Sequence, residues 1–277
     1  MRNSSIHPGS AFAHVGAGLF SSIGHAAIEV VTEVGFAGVL FWRTVLSLRK
    51  FGRSIPLVLE QARRIGVQSL PLVIITSVFT GAVTAVQAAY QLKEFVPKIY
   101  MGTAIYKSVV IELGPVLTAL VVGGRVSASI AAELGTMRVT EQIDAMDAMA
   151  IDPVRYLMMP RVVAALVMLP VLTVFADILA IGGGFFVANA SLDLSPKIFI
   201  EGMRMFFLPQ DVFGGLIKAF VFGGIISLMG CSAGLRTVGG AVGVGTSATR
   251  AVVTSCVLIL MSDYVLAVLL FQIIFGS

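Results

Sequence analysis

Charged side chains lie well inside long apolar stretches of this 277-residue sequence, among them Glu112, Asp177 and Lys218. A lone charge at the centre of a membrane costs at least about 2.5–3.5 kcal/mol on insertion scales. Intramembrane charges therefore pair with one another or line a water-filled cavity. We expect Glu112 and Lys218 to pair directly or to meet a polar ligand together, with Asp177 nearby.

A second group of charges forms a dense stretch between two apolar regions, which we call the charged segment, residues 133–161. Its eight charged residues are Glu133, Arg138, Glu141, Asp144, Asp147, Asp152, Arg155 and Arg161. Within it, Val139, Ile143, Met146 and Ala150 recur at helical spacing on one face, which predicts a short amphipathic helix over about 136–150.

The limits of this helix follow from its neighbours. Gly135 offers a break from the preceding apolar region, and Asp152-Pro153 offers a capping residue followed by proline at the first helical position. Such a helix either docks onto a partner or lies solvated at the membrane surface, and its periodicity does not decide between the two.

Composition indicates an all-α integral membrane protein. Hydrophobic residues make up 57% of the chain and charged residues 12%, whereas soluble domains contain about 25% charged residues. Mean hydropathy is +0.96. The net charge is +4, but the basic residues are scattered along the chain, which argues against a nucleic-acid partner. No metal site or cofactor is predicted, because neither the two cysteines nor the three histidines have the spacing of a ligand set.

Five stretches exceed the roughly 20 residues that a membrane-spanning helix needs. They cover about 67–90, 104–132, 162–190, 212–235 and 251–275. We take residues 63–277 as the membrane domain and residues 1–62 as an N-terminal region. Within that region, residues 11–42 carry a single apolar stripe, which is typical of an amphipathic helix lying in the interface. A sixth membrane-spanning helix is the alternative.

The distribution of Lys and Arg sets the orientation. With five spans and a cytoplasmic N-terminus, 13 of the 19 Lys and Arg residues lie on the inner side. The charged segment is then cytoplasmic, between spans two and three, and the C-terminus is external. The N-terminal stretch lacks the continuous apolar run of a secretory signal, since residues such as Gly16 and Glu29 interrupt it. We therefore expect a multi-pass protein of a bacterial inner membrane.

The stretch "ELGPVLTALVVGGRVSASIAAELGTMRVTEQIDAMDAMAIDPVRYLMMPRVVA", residues 112–164, resembles the signature of the MlaE-type permeases. These are membrane subunits of ABC transporters that move lipids together with MCE proteins. A looser resemblance extends over about 50–275, including Gln87, "LPVLTV" and "TSATRAVVTS". This sequence departs from some members at Ile111, where they carry arginine, so any ion pair made by that arginine is absent or rebuilt here.

The resemblance implies partners and residue roles. The partners are a P-loop ATPase similar to MlaF, an MCE protein hexamer similar to MlaD, a second copy of the chain, and a phospholipid or another large amphiphile. The charged segment resembles a coupling helix, which docks onto the ATPase. The implied lipid contacts are Glu112, Leu113, Lys218, Asp177, Gln87 and Tyr90. The implied docking residues are Glu133, Arg138, Glu141, Gln142 and Asp144.

Other functions remain open. The chain has no G-x-x-x-x-G-K-[ST] stretch, so ATP hydrolysis would belong to a separate subunit and this chain is not an enzyme. Glu112, Asp177 and Asp263 would also suit a proton-driven secondary transporter, because intramembrane carboxylates form proton relays. A scaffold whose small residues only pack helices is a third possibility.

Overall fold

A computed structural model describes residues 54–92, 97–191 and 194–274, together with scattered positions between 32 and 47 that are helical. The described ranges contain helices and no strands. Their α-helices are α1 (Ile55–Gly66), α2 (Leu70–Leu92), α3 (Tyr100–Ser108), α4 (Gly114–Val139), α5 (Gln142–Ala148), α6 (Met159–Ser191), α7 (Pro196–Met205), α8 (Pro209–Leu235) and α9 (Gly240–Ile274).

Five helical stretches are long and apolar enough to cross a membrane, which confirms the prediction of an all-α integral membrane protein. They are Ile55–Leu92, Tyr100–Val139, Val154–Ser191, Pro209–Leu235 and Gly240–Gln272. All five begin before the predicted spans, because a helix continues past the apolar core wherever its polar residues still support helical backbone. The predicted domain boundary after residue 62 falls inside α1. The interfacial helix predicted over 11–42 lies largely outside the described residues.

The central helices of the bundle are α4 and α8. Helix α4 packs against α8 and α9, while α6 packs against α2, α8 and α1. Helices α3 and α7 form a separate pair at one end of the bundle. Helix α9 is the least buried of the five apolar stretches. The order of contacts places the start of α8 beside the junction of α3 and α4, which positions the charges of the second and fourth spans near one another.

The predicted helix over 136–150 is wrong in detail. Helix α4 continues through Gly135 and ends at Val139. The chain then turns at Thr140 and Glu141, and Glu141 has a left-handed φ of 60°. Gly135 does not end the helix because it serves packing: a Cβ there would lie 2.7 Å from the Thr237 hydroxyl oxygen. The turn lets the short helix α5 fold back and bury Ile143.

The next helix starts where the sequence predicted. The Asp152 carboxylate accepts a hydrogen bond from the Val154 backbone N–H at 3.0 Å, which satisfies one of the free donors of a helix N-terminus. Pro153 occupies the first helical position, where its missing N–H costs no hydrogen bond. A π-helical turn at Val154–Met158 then leads into α6.

Glycine allows α2 and α6 to approach to backbone contact. A Cβ at Gly183 would lie 2.4 Å from the Val78 carbonyl oxygen, and a Cβ at Gly81 would lie 1.7 Å from the Ala180 carbonyl oxygen. Small residues at helix crossings are typical of membrane proteins, where close van der Waals packing replaces the hydrophobic effect as the force between helices.

This contact predicts different effects of alanine at two adjacent glycines of α6. Gly183→Ala should destabilise the protein by about 1–3 kcal/mol, the usual cost of overpacking, because the Val78 backbone cannot move aside as a side chain could. Gly182→Ala is the matched control, since nothing lies within 4 Å of its Cβ position. Thermal unfolding in lipid nanodiscs would measure both, and equal melting temperatures for the two variants would contradict the contact.

Candidate functional site

A buried ion cluster joins three of the apolar stretches. The Lys218 ammonium of α8 lies 2.6 Å from the Glu112 Oε2 and 2.9 Å from the Asp263 Oδ1 of α9. Lys218 is only 2% exposed, whereas the Glu112 side chain is 44% exposed. We call these three residues the Lys218 cluster. One cation is thus shared by two carboxylates, and one of them, that of Glu112, is exposed at the surface of the bundle.

Proline shapes the backbone that carries Glu112. Pro115 has no N–H and cannot donate to the Ile111 carbonyl as a regular helix requires. The chain responds with a π-helical turn at Val109–Leu113, in which the Gly114 N–H bonds to the Val109 carbonyl. Single π-turns occur frequently at functional sites. The wider turn places Glu112 on the side of the helix that faces α8.

Asp263 was not predicted as a partner of Lys218. From the sequence, Asp263 was interpreted only as a possible carboxylate of a proton relay, although its position inside span five also indicated a need for a partner. Asp263 lies 12 residues before the predicted end of span five at 275, a depth similar to that of Asp177 in span three. The expectation that intramembrane charges pair with one another applies equally to Asp263 and would have grouped it with Glu112 and Lys218.

Asp177 does not join the Lys218 cluster. Its carboxyl group packs against the backbone at the start of α4, where a Cβ on Gly114 would lie 1.7 Å from the Asp177 Oδ1. That oxygen is buried and has no hydrogen-bond partner among the described residues. Near the start of α8, Asp211 is 2% exposed, and the Lys107 ammonium lies 3.5 Å from its Oδ2. Two further buried carboxyl groups, those of Asp177 and Asp211, therefore lie at this end of the bundle.

The remaining predicted lipid contacts are spread over two helices. Leu113 follows Glu112 on the π-turn and borders a narrow space that Thr76, Ser77 and Thr80 of α2 also line. Gln87 and Tyr90 lie on the outer face of α2, and Tyr90 is 87% exposed. The structure gives neither residue a contact with the Lys218 cluster.

At the opposite end of the bundle, Glu133 is held inside the chain. Its carboxylate lies 2.9 Å from the Arg161 guanidinium of α6 and 3.3 Å from that of Arg64 in α1. Arg161 is 4% exposed, whereas the Glu133 side chain is 38% exposed, so the cation of this pair is enclosed and its carboxylate is partly accessible. Glu133 thus fastens α4 to two neighbouring helices, a role that sequence reasoning missed when it grouped Glu133 with the docking residues.

The other predicted docking residues surround the break after α4. Arg138 and Asp144 form an ion pair across it, and the Gln142 amide donates to the Thr140 hydroxyl at 3.0 Å. Glu141, Gln142 and Asp144 are exposed, and the Arg138 side chain is 40% exposed. The turn at Thr140 and Glu141 and helix α5 therefore form a compact unit, stabilised by contacts between its own polar side chains, which we call the projecting unit.

The Lys218 cluster predicts a non-additive response to neutral substitutions. Glu112→Gln and Asp263→Asn should each have a modest effect on stability, because Lys218 keeps one carboxylate. The double variant leaves a lone buried cation and should cost more than the sum of the single variants, in the range of about 3–5 kcal/mol. Thermal unfolding of the four proteins measures this coupling, and strict additivity would show that Lys218 is not shared.

Known proteins resemble this chain over most of its length. The family description Permease MlaE matches residues 58–269. A probable ABC transporter permease protein of Rickettsia felis is 40% identical over 253 residues, covering 91% of this chain and 98% of that protein. A probable ABC transporter permease protein of Synechocystis is 43% identical over 214 residues, covering 77% and 81%.

A plant protein is similar as well. Protein TRIGALACTOSYLDIACYLGLYCEROL 1, chloroplastic, of Arabidopsis thaliana is 37% identical over 214 residues, covering 77% of this chain and 61% of that protein. The family match includes the Lys218 cluster and the whole charged segment. The chain therefore belongs to the MlaE permease family.

Proposed function

We propose that this chain is the transmembrane subunit of an ATP-driven lipid transporter, which moves phospholipid between a bacterial inner membrane and the outer envelope. The observation that carries the proposal is the Lys218 cluster, a polar site inside an apolar bundle with one carboxylate facing outward. The membership in a permease family and the name of the plant relative, which is that of a glycolipid, support it.

The charge of the cluster indicates how a headgroup would bind. Two carboxylates and one ammonium leave one net negative charge. Lys218 is enclosed and Glu112 is half-exposed, so the cationic group of a lipid headgroup meets Glu112 first. Lys218 then keeps Asp263 as its partner, and the headgroup phosphate can approach its ammonium. In this proposal Leu113, Asp177, Gln87 and Tyr90 border the lipid, with Gln87 and Tyr90 contacting its acyl chains along α2.

The positive-inside rule supports the orientation. The N-terminus and the charged segment would face the cytoplasm, and the C-terminus would face outward. The Lys218 cluster then lies in the outer half of the membrane, since Lys218 follows the start of α8 by nine residues and α8 starts on the outer side. An MCE protein hexamer would cover this outer end. A second copy of the chain would cover part of the exposed surface of α9.

We propose that the ATPase docks on the projecting unit, which presents Arg138, Glu141, Gln142 and Asp144. Glu133 lies earlier on α4 and anchors that helix to α1 and α6. The unit suits docking because a fixed turn presents its charges outside the apolar bundle. The ATPase is a separate P-loop protein in this proposal.

A proton-driven transporter is the second candidate, and Asp177 is the observation that favours it. A buried carboxyl oxygen without a partner is expected in a proton relay more than in a lipid cavity. The two candidates differ in their energy source, and this difference can be measured directly.

Reconstitution distinguishes the two energy sources. The complex purified through a tag on this chain, with its co-purifying subunits, should transfer fluorescent phospholipid in liposomes when ATP is added. Lys218→Met should reduce that transfer at least tenfold, because two carboxylates lose their shared cation. Transfer driven by a pH gradient without ATP would instead establish the proton-driven alternative.

Charge exchange in the projecting unit tests docking. The variant Arg138→Asp, Asp144→Arg preserves an internal ion pair but reverses the charges that a partner meets, and Glu141→Lys completes the reversal. We expect the triple variant to insert into the membrane and to lose its co-purifying ATPase. Exposed charges contribute only about 0–1 kcal/mol each, so single changes should have small effects.

Its control lies at the other end of the bundle, where Lys197→Glu, Glu201→Lys exchanges two exposed charges on α7. That variant should keep the ATPase. An intact complex for both variants would remove the projecting unit as the docking element.

A further inference from the structure

A polar cleft of about 280 Å³ lies between α1 and α4, at the end of the bundle opposite the Lys218 cluster. Arg125 lies 13 residues after Glu112, which is about 20 Å along a helix. The polar lining of the cleft comes from Gln61, Arg64, Gln68, Arg125, Ser129 and Glu133. A cavity of this size lined by so many polar groups is unusual within an apolar bundle, and the lipid site proposed above does not use it.

Arg125 has only neutral partners among the described residues. Its guanidinium donates to the Arg64 backbone carbonyl at 2.6 Å, to the Ser69 hydroxyl at 3.0 and 3.2 Å, and to the Gln68 amide oxygen at 3.3 Å. No described carboxylate lies within 4.0 Å of it. The guanidinium is always charged, so Arg125 is a half-buried cation that no carboxylate of the described part of the chain neutralises.

The nearby carboxylates are already occupied. Glu133 pairs with Arg161 and Arg64, and Glu60 pairs with Arg64 at 2.8 Å. Three guanidinium groups, those of Arg64, Arg125 and Arg161, therefore face two carboxylates, which leaves one net positive charge. This balance is the reverse of the Lys218 cluster and favours an anionic ligand.

The helix surface that leads away from the cleft changes from polar to apolar. Gln61, Arg64 and Gln68 are separated by three and four residues, so they share one side of the α1–α2 stretch. The same spacing continues to exposed apolar residues, which are Leu72 at 40%, Ile75 at 59% and Phe79 at 67% exposure. A free phosphate would use only the polar part of this surface, whereas a phospholipid matches both parts.

We infer that this cleft binds the phosphate headgroup of an anionic phospholipid, with an acyl chain lying along Leu72, Ile75 and Phe79. Arg125 and Arg64 donate to the phosphate oxygens, and Gln68 and Ser129 offer further polar contacts at the rim. With the orientation proposed above, the lipid belongs to the cytoplasmic leaflet, where anionic lipids are bound by basic pockets between membrane helices. The site is separate from the outward-facing lipid site at Lys218.

Lipid retention by the purified full complex tests this inference. Extracted into detergent from membranes containing equal phosphatidylglycerol and phosphatidylcholine, the complex should retain phosphatidylglycerol several-fold over phosphatidylcholine, as measured by mass spectrometry. Arg125→Gln should bring the ratio close to one. Arg63→Gln is the matched control, because Arg63 is an exposed neighbour that does not line the cleft, and it should keep the preference.

A second variant guards against misfolding. Ser129→Glu places a negative charge at the exposed rim and leaves the hydrogen bonds of Arg125 intact, so it should also abolish the preference at an unchanged melting temperature. A ratio of one in the parent complex would overturn the inference, as would a preference that survives both Arg125→Gln and Ser129→Glu. Displacement of phosphatidylglycerol by an equal concentration of inorganic phosphate would assign the cleft to a free anion and overturn the lipid. Loss of ATP-driven transport alone would bear only on the proposed function.

Discussion

The need to neutralise Lys218 is the constraint on which the arrangement of the bundle depends. A buried ammonium in a membrane must have partners, and its two partners come from other helices, Glu112 before α4 and Asp263 on α9. These two ion pairs therefore favour one register among α4, α8 and α9. A second ion cluster acts in the same way at the far end, where Glu133 joins α4 to α1 and α6. Helix α4, with the π-turn before it, thus supplies an acid to both ends of the bundle, 21 residues apart.

Between these two clusters the helices are held by close contact rather than by charge. Gly81 and Gly183 bring the backbones of α2 and α6 together, and Gly114 admits the Asp177 carboxyl against the start of α4. Backbone groups cannot adjust as side chains do, so these crossings fix interhelical distances more firmly than packing of large residues would. The polar groups of the Lys218 cluster are consequently held by a rigid frame, which is what a binding site requires.

Much of this structure could be predicted from the sequence, because the membrane imposes simple rules. Helix length and apolar composition predicted five spans, and the cost of a lone charge in the membrane indicated that Glu112 and Lys218 pair. The break at Glu141 could not be placed, since Gly135 looked like a helix end while its actual role depends on Thr237, a residue about a hundred positions away. Asp177 was expected near Glu112 and Lys218, and its carboxyl group packs against the backbone at Gly114, two residues after Glu112. Such a contact with backbone leaves no trace in charge patterns. The pairing of Glu133 with Arg161 and Arg64 was not predicted, because the three residues lie on different helices and their spacing in the sequence does not indicate contact.

The net charge of the Lys218 cluster has an electrical consequence. Its two carboxylates and one ammonium place one negative charge part of the way across the membrane. Moving one elementary charge through the full potential is worth about 2.3 kcal/mol per 100 mV. In the proposed lipid site, a cationic headgroup that enters or leaves the cluster would therefore move through part of this field, and its occupancy would depend on the membrane voltage as well as on its concentration. A cell that depolarises would change how readily the site fills without altering a single contact in the protein.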